Sequence, residues 1–370
     1  MKKLIRVKLI TSKKENLLLP EGFPLSVKPN YWNFIKWNLV QSTASSALGV
    51  LSTQQLLITL GTNSITASAA LNWIIKDGLG LLGGVIYAGR IGNRFDENSK
   101  YYKWISAVSV NLASGLEMIS PCFPSLFLPI ATIGTLGKNV SALAGSASKA
   151  AIHLNLCLRN NLADVTAKSG TQATAAGLVG TLIGTLFGYS IQSYWGSVAI
   201  FSALSVCQLW ACYKGLKYVD LNSLNPQRLD IIIKNFIEHK IILSTEEVSK
   251  HEKFLLPYPK QNLIVGIVPE IFQGQDGGSA NIDENVEYPN ENLKKYIISR
   301  HDNKVYLLYE ETAVNSDIIE GYVLARCISW NVPPVTIPLE DLKNIGWEIS
   351  QPFLSPTNTR YKNESSDLTQ

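Results

Sequence analysis

Long stretches without a charged residue constrain the fold of this chain more than any other feature. No Asp, Glu, Lys or Arg occurs in Trp37 to Ile75, Met118 to Gly137 or Ser169 to Tyr213. A helix needs about 20 mostly apolar residues to cross a membrane, and soluble helices seldom lack a charged face over such lengths. A large soluble helical bundle is the alternative. We predict six spanning helices, near residues 38–60, 66–89, 103–120, 130–157, 172–191 and 195–216.

The basic residues fall on alternate gaps between these predicted spans. Eight of them precede the first span, and the gaps near residues 61–65, 121–129 and 192–194 carry no charge. This positive-inside asymmetry predicts an even number of spans with both termini on the cytoplasm-like side of the membrane. The basic residues of the other gaps are Arg90, Arg94, Lys100, Lys103, Arg159, Lys168, Lys214, Lys217 and Arg228.

Small residues recur at helical spacing in two of the predicted spans. Gly180, Gly184 and Gly188 are four residues apart, as are Gly80 and Gly84. Such stripes let helix backbones approach closely inside lipid. We expect the stripe of the fifth helix to form a contact between two copies of the chain, because a half-bundle transporter needs a partner.

Composition divides the chain into three parts. A basic N-terminal segment, residues 1–37, precedes the helical membrane domain, residues 38–218, and a C-terminal α+β domain follows over residues 219–370. The net charge of +4 lies mostly at the predicted inner membrane edge. Attraction to anionic headgroups explains it, at about 1 kcal/mol per basic residue. No nucleic-acid-binding module is visible, so the expected contacts are membrane lipid and another copy or family member.

The C-terminal part shows ordinary soluble patterns. A helix is predicted over 228–242, and Ser244 with Glu247 predicts the capped start of another. Alternating residues around His301 to Asn303 predict a hairpin, and residues 317–330 predict an amphipathic helix. Residues 273–292 are acidic and glycine-rich, which is typical of a flexible insertion, and a disordered tail is expected after Pro356.

Ionisable residues within the predicted spans are candidates for a ligand site, because buried charge is costly in a membrane. Asp77 precedes Gly80 and Gly84 by three and seven residues, so we expect it to face the bundle interior while Lys76 points away. We expect Asp77 or Glu117 to pair with a lysine of the fourth helix.

The fourth predicted helix carries a polar and basic stripe. Lys138, Lys149 and His153 share one face with small residues. One interpretation is a pocket for a small, anionic metabolite held by lysines. The other is a set of ion pairs that only fixes the packing of the helices.

Two inner loops are dense in polar residues. The loop from Gly89 to Lys100 resembles the conserved loop of major-facilitator transporters, so the six spans are predicted to resemble half of a major-facilitator bundle. In the second loop, Asp164 has two interpretations, as a ligand-binding residue or as a cap of the helix that follows. The second loop adds further candidate ligand-binding residues, which are Arg159, Asn160, Asn161, Asp164 and Lys168.

No residue pattern indicates an enzyme, a cofactor or a bound metal. The five cysteines are odd in number and show no CxxC spacing, which favours reduced packing residues over disulfides or metal ligands. No combination of nucleophile, base and orienting group is visible. The expected activity is therefore non-enzymatic, at an intracellular membrane whose organelle the sequence does not specify.

Several segments resemble the root UVB sensitive family, in order and at ordinary spacing over residues 19 to about 230. They are LPEGFPLSV at 19–27, YWNFIKWNLVQSTASSALGVLSTQQLL at 31–57, WIIKDGLGLLGGVIYA at 73–88, LEMISPCFP at 116–124, RNNLADVTAKSGTQ at 159–172 and LNSLNPQRL at 221–229.

This resemblance implies a membrane protein without assigned catalytic residues. Plant members of the family are tied to root UV-B sensitivity, vitamin B6 homeostasis and auxin transport, and some act with another member. The resemblance therefore implies handling of a small metabolite, with a membrane-anchored scaffold as the alternative. The family pattern has Arg at the position of Gly84 and an acidic residue at that of Ser169, and both departures remove a charge.

Overall fold

The structure is a computed structural model that describes residues 17–61, 67–91, 95–259, 262–266, 295–301, 303–354 and 360–361. Within these ranges it contains ten α-helices and three β-strands. The chain divides into two compact units. The first comprises Met1–Gly92 and Tyr102–Val219, and the second comprises Asn93–Tyr101 and Asp220–Gln370.

The first unit is built from six long helices among the described residues, at the places where six were predicted. The early start of α5 corrects one prediction, because Asp164 and Lys168 lie in its first turns rather than in a loop. Polar residues do not end the helix there, since Ser169 and Gln172 face its buried side. The helices are α1 Tyr31–Leu60, α2 Ala67–Ile91, α3 Ser99–Met118, α4 Phe127–Leu156, α5 Leu162–Ser190 and α6 Tyr194–Leu216.

Helix α5 packs against α1 along its glycine stripe. An added Cβ on Gly180 would lie 2.2 Å from the carbonyl oxygen of Thr43, and one on Gly184 would lie 2.9 Å from that of Ala47. The predicted contact between two copies through this stripe is therefore wrong, because α1 of the same chain covers the surface. Association of the chain with another copy or family member stays a prediction.

Three helical stretches are long and apolar enough to cross a membrane, judged by length and composition within the described residues. They are Pro124–Leu156, Leu162–Ser190 and Tyr194–Leu216. The stretch that begins at Pro124 includes a short 3-10 turn before α4. Helix α1 is also long enough, but it contains many Ser, Thr and Gln residues. The prediction of six spans, and the likeness to half of a major-facilitator bundle, stay predictions.

The second unit combines short helices with a small sheet. The predicted hairpin is confirmed, because β2 and β3 pair antiparallel, and β1 adds a parallel strand in the order β1-β3-β2. The predicted insertion at 273–292 lies outside the described residues. Of the tail, Arg360 and Tyr361 are described, and Tyr361 pairs with Glu310. The elements are α7 Pro226–His239, α8 Thr245–His251, β1 Leu263–Val265, β2 Tyr296–His301, β3 Lys304–Tyr309, α9 Asn315–Ser329 and α10 Leu339–Asn344.

The start of α8 follows the sequence prediction. Ser244 and Glu247 form a capping box, in which each side chain accepts a hydrogen bond from the backbone N–H of the other residue. Such reciprocal bonds satisfy two N–H groups that the first helical turn leaves without partners. The cap lies where the link after α7 ends and α8 begins. Glu252 directly follows the last residue of α8.

Two cations share one buried carboxylate in this unit. Glu252 lies 2.6 Å from the Lys100 ammonium and 2.8 Å from an Arg228 nitrogen, and all three side chains are almost fully buried. Burial alone raises the pKa of Glu252, but the two cations outweigh it and hold that pKa below the ordinary value of 4.5. Glu252 is therefore ionised at neutral pH, whereas burial lowers the pKa of Lys100 against the attraction of that carboxylate. The cluster joins the start of α3 to α7 and α8.

A second buried ion pair joins α7 to α9. The Arg326 guanidinium donates to Asp230 at 2.8 Å, and the hydroxyls of Tyr258 and Tyr322 donate to the same carboxylate. Burial and the nearby carboxylate raise the pKa of the Tyr258 hydroxyl. These contacts satisfy a charge that would be costly if it were left unpaired.

The packing of α5 on α1 yields a stability prediction. Gly180→Ala should destabilise the helical unit by about 1–3 kcal/mol, because the new Cβ overlaps the backbone of α1. Gly170→Ala is the matched control in the same helix, with no atom within 4 Å of an added Cβ. It should stabilise the unit by roughly 0.5–1 kcal/mol, since alanine favours helix. Thermal unfolding in mild detergent, followed by helical circular dichroism, measures both, and equal melting temperatures would contradict the packing.

The cluster around Glu252 yields a pH prediction. Its pKa is lower in the folded chain, so its stabilisation is complete above pH 4.5 and is lost as pH falls below that value. Glu252→Gln should cost about 3–5 kcal/mol at neutral pH, because two buried cations lose their partner. Hydrogen exchange of α8 at about pH 6 and about pH 3.5 measures local opening. Wild type should open more readily at the lower pH, while Glu252→Gln opens readily at both.

Glu246→Gln is the control for this measurement. Glu246 lies on α8 too, but its pair with Lys250 is exposed to solvent. Exposed pairs of this kind contribute little. Exchange in Glu246→Gln should therefore match wild type at both pH values, and an effect as large as that of Glu252→Gln would contradict the assignment.

Candidate functional site

The structure corrects the predicted orientation of Lys76 and Asp77. Lys76 is buried, and its ammonium donates to Asp77 and, at 3.2 Å, to the hydroxyl of Thr135 on α4. The Asp77 side chain is half exposed. Lys76 rather than Asp77 shares the buried face of Gly80, because residues four apart on a helix lie more nearly in line than residues three apart do.

A predicted ion pair between α3 and α4 is present. Lys138 donates to Glu117, whose carboxylate is almost fully buried, and also to the hydroxyl of Ser52 at 3.2 Å. Gly134 leaves room for the pair, since an added Cβ there would lie 2.8 Å from the Glu117 side chain. The pair fixes α3 and α4 against each other, so its contacts are those of a packing element.

The other basic residues of the predicted stripe lie nearer the end of α4. Lys149 is half-buried and interacts electrostatically with Lys103 of α3. His153 is buried, interacts electrostatically with both lysines, and places Nδ1 3.3 Å from the hydroxyl of Thr166. This end of α4 therefore has a cationic environment.

The segment before α1 that contains Glu21, Ser26 and Lys28 lies over the turn between α4 and α5, and we call it the covering segment. The Lys28 amide donates to the carbonyl of Leu156, and the Leu158 amide donates to the carbonyl of Ser26. The Lys28 ammonium also donates to the Asn155 side chain at 2.9 Å. Because these bonds connect residues more than 120 positions apart, they hold the segment before α1 against the turn between two later helices.

Six polar side chains near this turn, five of them buried and that of Asn161 half-buried, carry buried atoms without a hydrogen-bond partner among the described residues. Tyr31 lies beside Gln172, and Ser169 lies on the same buried side of α5 as Gln172. Buried polar groups nearly always have partners, so a group of unpaired ones requires an explanation. We call this group the junction site, and its members are Ser26, Tyr31, His153, Asn161, Ser169 and Gln172.

The predicted loop residues surround the junction site unequally. Asn161 contributes unpaired amide nitrogen and oxygen atoms. Arg159 is exposed, and its guanidinium lies near Gly22 and Ser26 of the covering segment. Asn160 is exposed and adopts a left-handed backbone conformation with φ of 53°. Lys168 is half-buried in α5.

Asp164 does not cap α5, so the structural alternative for this residue is wrong. The N-cap position is held by Asn161, without a side-chain cap. The Asp164 carboxylate instead accepts a hydrogen bond from the Glu21 amide at 2.7 Å. It thereby ties the covering segment to the first turn of α5.

Sequence reasoning missed four members of the junction site and gave His153 a structural interpretation. Ser26, Tyr31, Ser169 and Gln172 are neutral, so a search for charge in apolar stretches passes over them. Two of them were visible in another way, because Ser169 and Gln172 are three residues apart and share a helix face. The fold of the segment before α1 over a turn 130 residues later leaves no local signal.

The junction site brings together hydrogen-bonding groups, with basic residues at its edge. It offers three hydroxyls, two amides and an imidazole, with Arg159 and Lys28 at its edge and Lys149 within electrostatic range of His153. Asp164 is already engaged by a backbone amide. No group of His, Cys, Asp and Glu suited to a metal ion occurs in the part of the chain that the structure describes.

Comparison with known proteins identifies the family of this sequence. A family profile described as the vitamin B6 photo-protection and homoeostasis domain matches residues 6–240. RUS family member 1 of Dictyostelium discoideum is 34% identical over 259 residues, which is 68% of this chain and 49% of that protein. Protein root UVB sensitive 3 of Arabidopsis thaliana is 32% identical over 244 residues, or 64% of this chain and 55% of that protein.

A third relative extends the similarity into the C-terminal unit. Protein root UVB sensitive 2, chloroplastic, of Arabidopsis thaliana is 28% identical over 363 residues, covering 93% of this chain and 80% of that protein. The chain spans about half the length of the first two relatives. No solved structure matches it. From the matched profile and these relatives, the chain belongs to the root UVB sensitive family.

Proposed function

We propose that this family member is an integral membrane protein that holds a small anionic metabolite at the junction site and relays it without catalysing a reaction. The observation that carries the proposal is the group of six side chains with buried, unpaired polar atoms beside cationic residues. A ligand with several hydrogen-bonding groups would pair those atoms, which packing within the chain leaves unpaired.

The description of the family suggests a class of metabolite. The matched profile concerns vitamin B6 homoeostasis. A phosphorylated B6 vitamer has a planar ring with hydroxyl groups and an anionic phosphate, and these groups suit hydroxyl, amide and cationic partners. We therefore propose a phosphorylated vitamer as the first ligand to test, with other small anionic metabolites next.

The outer surface of the helical unit supports a membrane setting. Helix α5 buries small and polar residues such as Ser169 and Gly180, whereas Leu178, Leu182 and Leu186 are more than half exposed. Helix α2 exposes a similar apolar face that includes Leu81 and Val85. A soluble helix has the reverse arrangement, with its polar side outward. Hydrocarbon around these faces removes the cost of exposing them to water.

The ion pairs support packing rather than relay at the centre of the bundle. Glu117 and Lys138 satisfy each other, and Lys76 is engaged by Asp77 and Thr135. A ligand would have to displace a partner from each of them, which leaves buried charge unpaired. Their role in the proposal is to fix the helices that form the junction site.

The membrane setting predicts a topology. The protein should stay with vesicles through a carbonate wash. Single cysteines that replace Arg90 and Lys217 lie in two different basic gaps. Both should react with a membrane-impermeant maleimide from the same side of the membrane. One at Gln192, in an uncharged gap, should react from the opposite side. Site-resolved mass spectrometry reads the labelling. Extraction by carbonate, or Arg90 and Lys217 on opposite sides, would contradict the setting.

The junction site predicts that removing one of its hydroxyls raises the stability of the unliganded protein but weakens its binding of ligand. Tyr31→Phe deletes a buried hydroxyl that makes no hydrogen bond of good geometry and has the Gln172 side chain beside it, so the unliganded protein should become more stable by up to about 1 kcal/mol. The same change should weaken the binding of pyridoxine 5′-phosphate by about tenfold, because one hydrogen bond is lost. Ligand-dependent thermal shifts in mild detergent measure both effects. The aldehyde vitamer is avoided, because it forms imines with lysines.

Ser114→Ala is the matched control for Tyr31→Phe. Ser114 is buried in α3 and also carries an unpaired hydroxyl, but it lies outside the junction site. Its removal should stabilise the unliganded protein while leaving the thermal shift by ligand unchanged. If Tyr31→Phe binds the vitamer as wild type does, the junction site is not its binding site.

A membrane-anchored scaffold is the second candidate. A cleft of about 400 Å³ lies between α9 and α10, with Ile319, Val323 and Ile337 on its apolar surface. Two exposed acids, Glu340 and Asp341, lie along it, which favours a basic partner segment. Reversing both charges to lysine separates the candidates. Loss of cellular activity with intact metabolite binding favours the scaffold.

A further inference from the structure

A second cleft lies in the helical unit, away from the junction site. Its volume is about 580 Å³, which falls in the range of small-molecule sites. The end of α1 contributes Gln54 and Gln55, the end of α5 contributes Tyr189, and the turn and first residues of α6 contribute Gln192 and Tyr194. Because the junction site involves the start of α1, the two sites lie at opposite ends of that helix.

One wall of this cleft is held in place by a close helix contact. Gln54 donates its side-chain N–H to the carbonyl of Gly188 at 3.0 Å. An added Cβ on Gly188 would lie 2.2 Å from the Gln54 oxygen. The glycine therefore permits the amide of α1 to reach the end of α5, which positions a polar group at the cleft.

The chemistry of the cleft differs from that of the junction site. Among the described residues that line it, none is an Asp, Glu, Lys or Arg. Three glutamine amides can each donate and accept hydrogen bonds, and the two tyrosines provide aromatic rings. Gln55 is buried, so charge there would be poorly solvated. The lining favours an uncharged ligand with a planar ring and hydrogen-bonding substituents.

The cleft also contains a chemical reporter. Cys122 ends the 3-10 turn Ser120–Cys122 that follows α3, is exposed, and donates its thiol to the Tyr194 hydroxyl at 3.3 Å. Cys212 and Cys327 are buried. A ligand in the cleft covers the Cys122 thiol, so the rate of its alkylation measures occupancy.

We propose that this cleft is a second small-molecule site, selective for neutral heteroaromatic compounds over their anionic counterparts. It is independent of the junction site, because it involves different residues and the opposite charge preference. Failure of one site in its test leaves the test of the other unaffected.

Nicotinamide and nicotinate test the selectivity, because they share a ring and differ in the charge of one substituent. The full chain in mild detergent is alkylated with N-ethylmaleimide, and mass spectrometry follows Cys122. Nicotinamide at about ten times its dissociation constant should slow the reaction by about tenfold, while nicotinate at the same concentration should leave it unchanged. Equal protection by both compounds, or none by nicotinamide up to about 10 mM, overturns the proposal.

Variants of the lining test whether the protection of Cys122 by nicotinamide arises in the cleft. Gln192→Leu should abolish protection by nicotinamide without changing the alkylation rate of the free protein. Ser193→Ala is the control at the neighbouring exposed position, which does not line the cleft, and should keep full protection. Protection that survives both Gln192→Leu and Gln54→Leu overturns the assignment. A lipid headgroup as the occupant would protect Cys122 in vesicles without any added compound, and that outcome overturns it too.

Discussion

The close approach of α1 and α5 is the contact on which the rest of the helical unit depends. It requires Gly180 and Gly184, whose missing side chains let the backbone of α1 lie against α5. In hydrocarbon such contacts replace the hydrophobic effect as the source of helix association, because lipid tails are as apolar as leucine. Both candidate sites follow from this pair. The junction site contains residues from the beginnings of both helices, and the neutral cleft contains residues from their ends.

The buried charges of the second unit are paired with opposite charges, whereas several buried neutral groups of the helical unit carry unpaired atoms. The carboxylate of Glu252 contacts two cations, and Asp230 accepts from Arg326 and two tyrosines. Such clusters satisfy their own charges and stabilise packing. The junction site leaves hydroxyl, amide and imidazole atoms unpaired in a buried place. Atoms without a hydrogen-bond partner also occur on Ser114, Arg228 and Arg326, so the junction site differs in having six residues with such atoms near one turn.

Periodic and local patterns in the sequence predicted much of the fold. Six long apolar segments, the capping box at Ser244 and the hairpin around Asn303 each depend on neighbouring residues, and each is present. The predicted orientation of Lys76 and Asp77 was wrong. Adjacent residues on a helix point about 100° apart, and the spacing to the glycines lets either residue face the interior. The parallel pairing of β1 with β3 was missed, since a three-residue strand offers too little alternation to recognise.

The candidate site was predicted only in part. Arg159, Asn161 and Asp164 border or belong to the junction site, yet its other members come from three separate segments. Their meeting depends on the covering segment, whose bonds to the α4–α5 turn connect residues far apart in sequence. No local pattern encodes such a contact. Sequence reasoning could therefore find the polar residues between α4 and α5 and not the buried groups that other segments bring to them.

The two departures from the family pattern act on these same contacts. Gly84 stands where the pattern has Arg, and an added Cβ there would lie 3.2 Å from the Asn139 side chain, so a larger residue requires that side chain to shift by a few tenths of an ångström. Ser169 stands where the pattern has an acid, and its hydroxyl is an unpaired member of the junction site. A carboxylate at that position would repel an anion, whereas serine adds no charge to those of Lys28, Arg159 and Asp164 nearby. For the anionic ligand proposed above, serine at this position is therefore more compatible than a carboxylate.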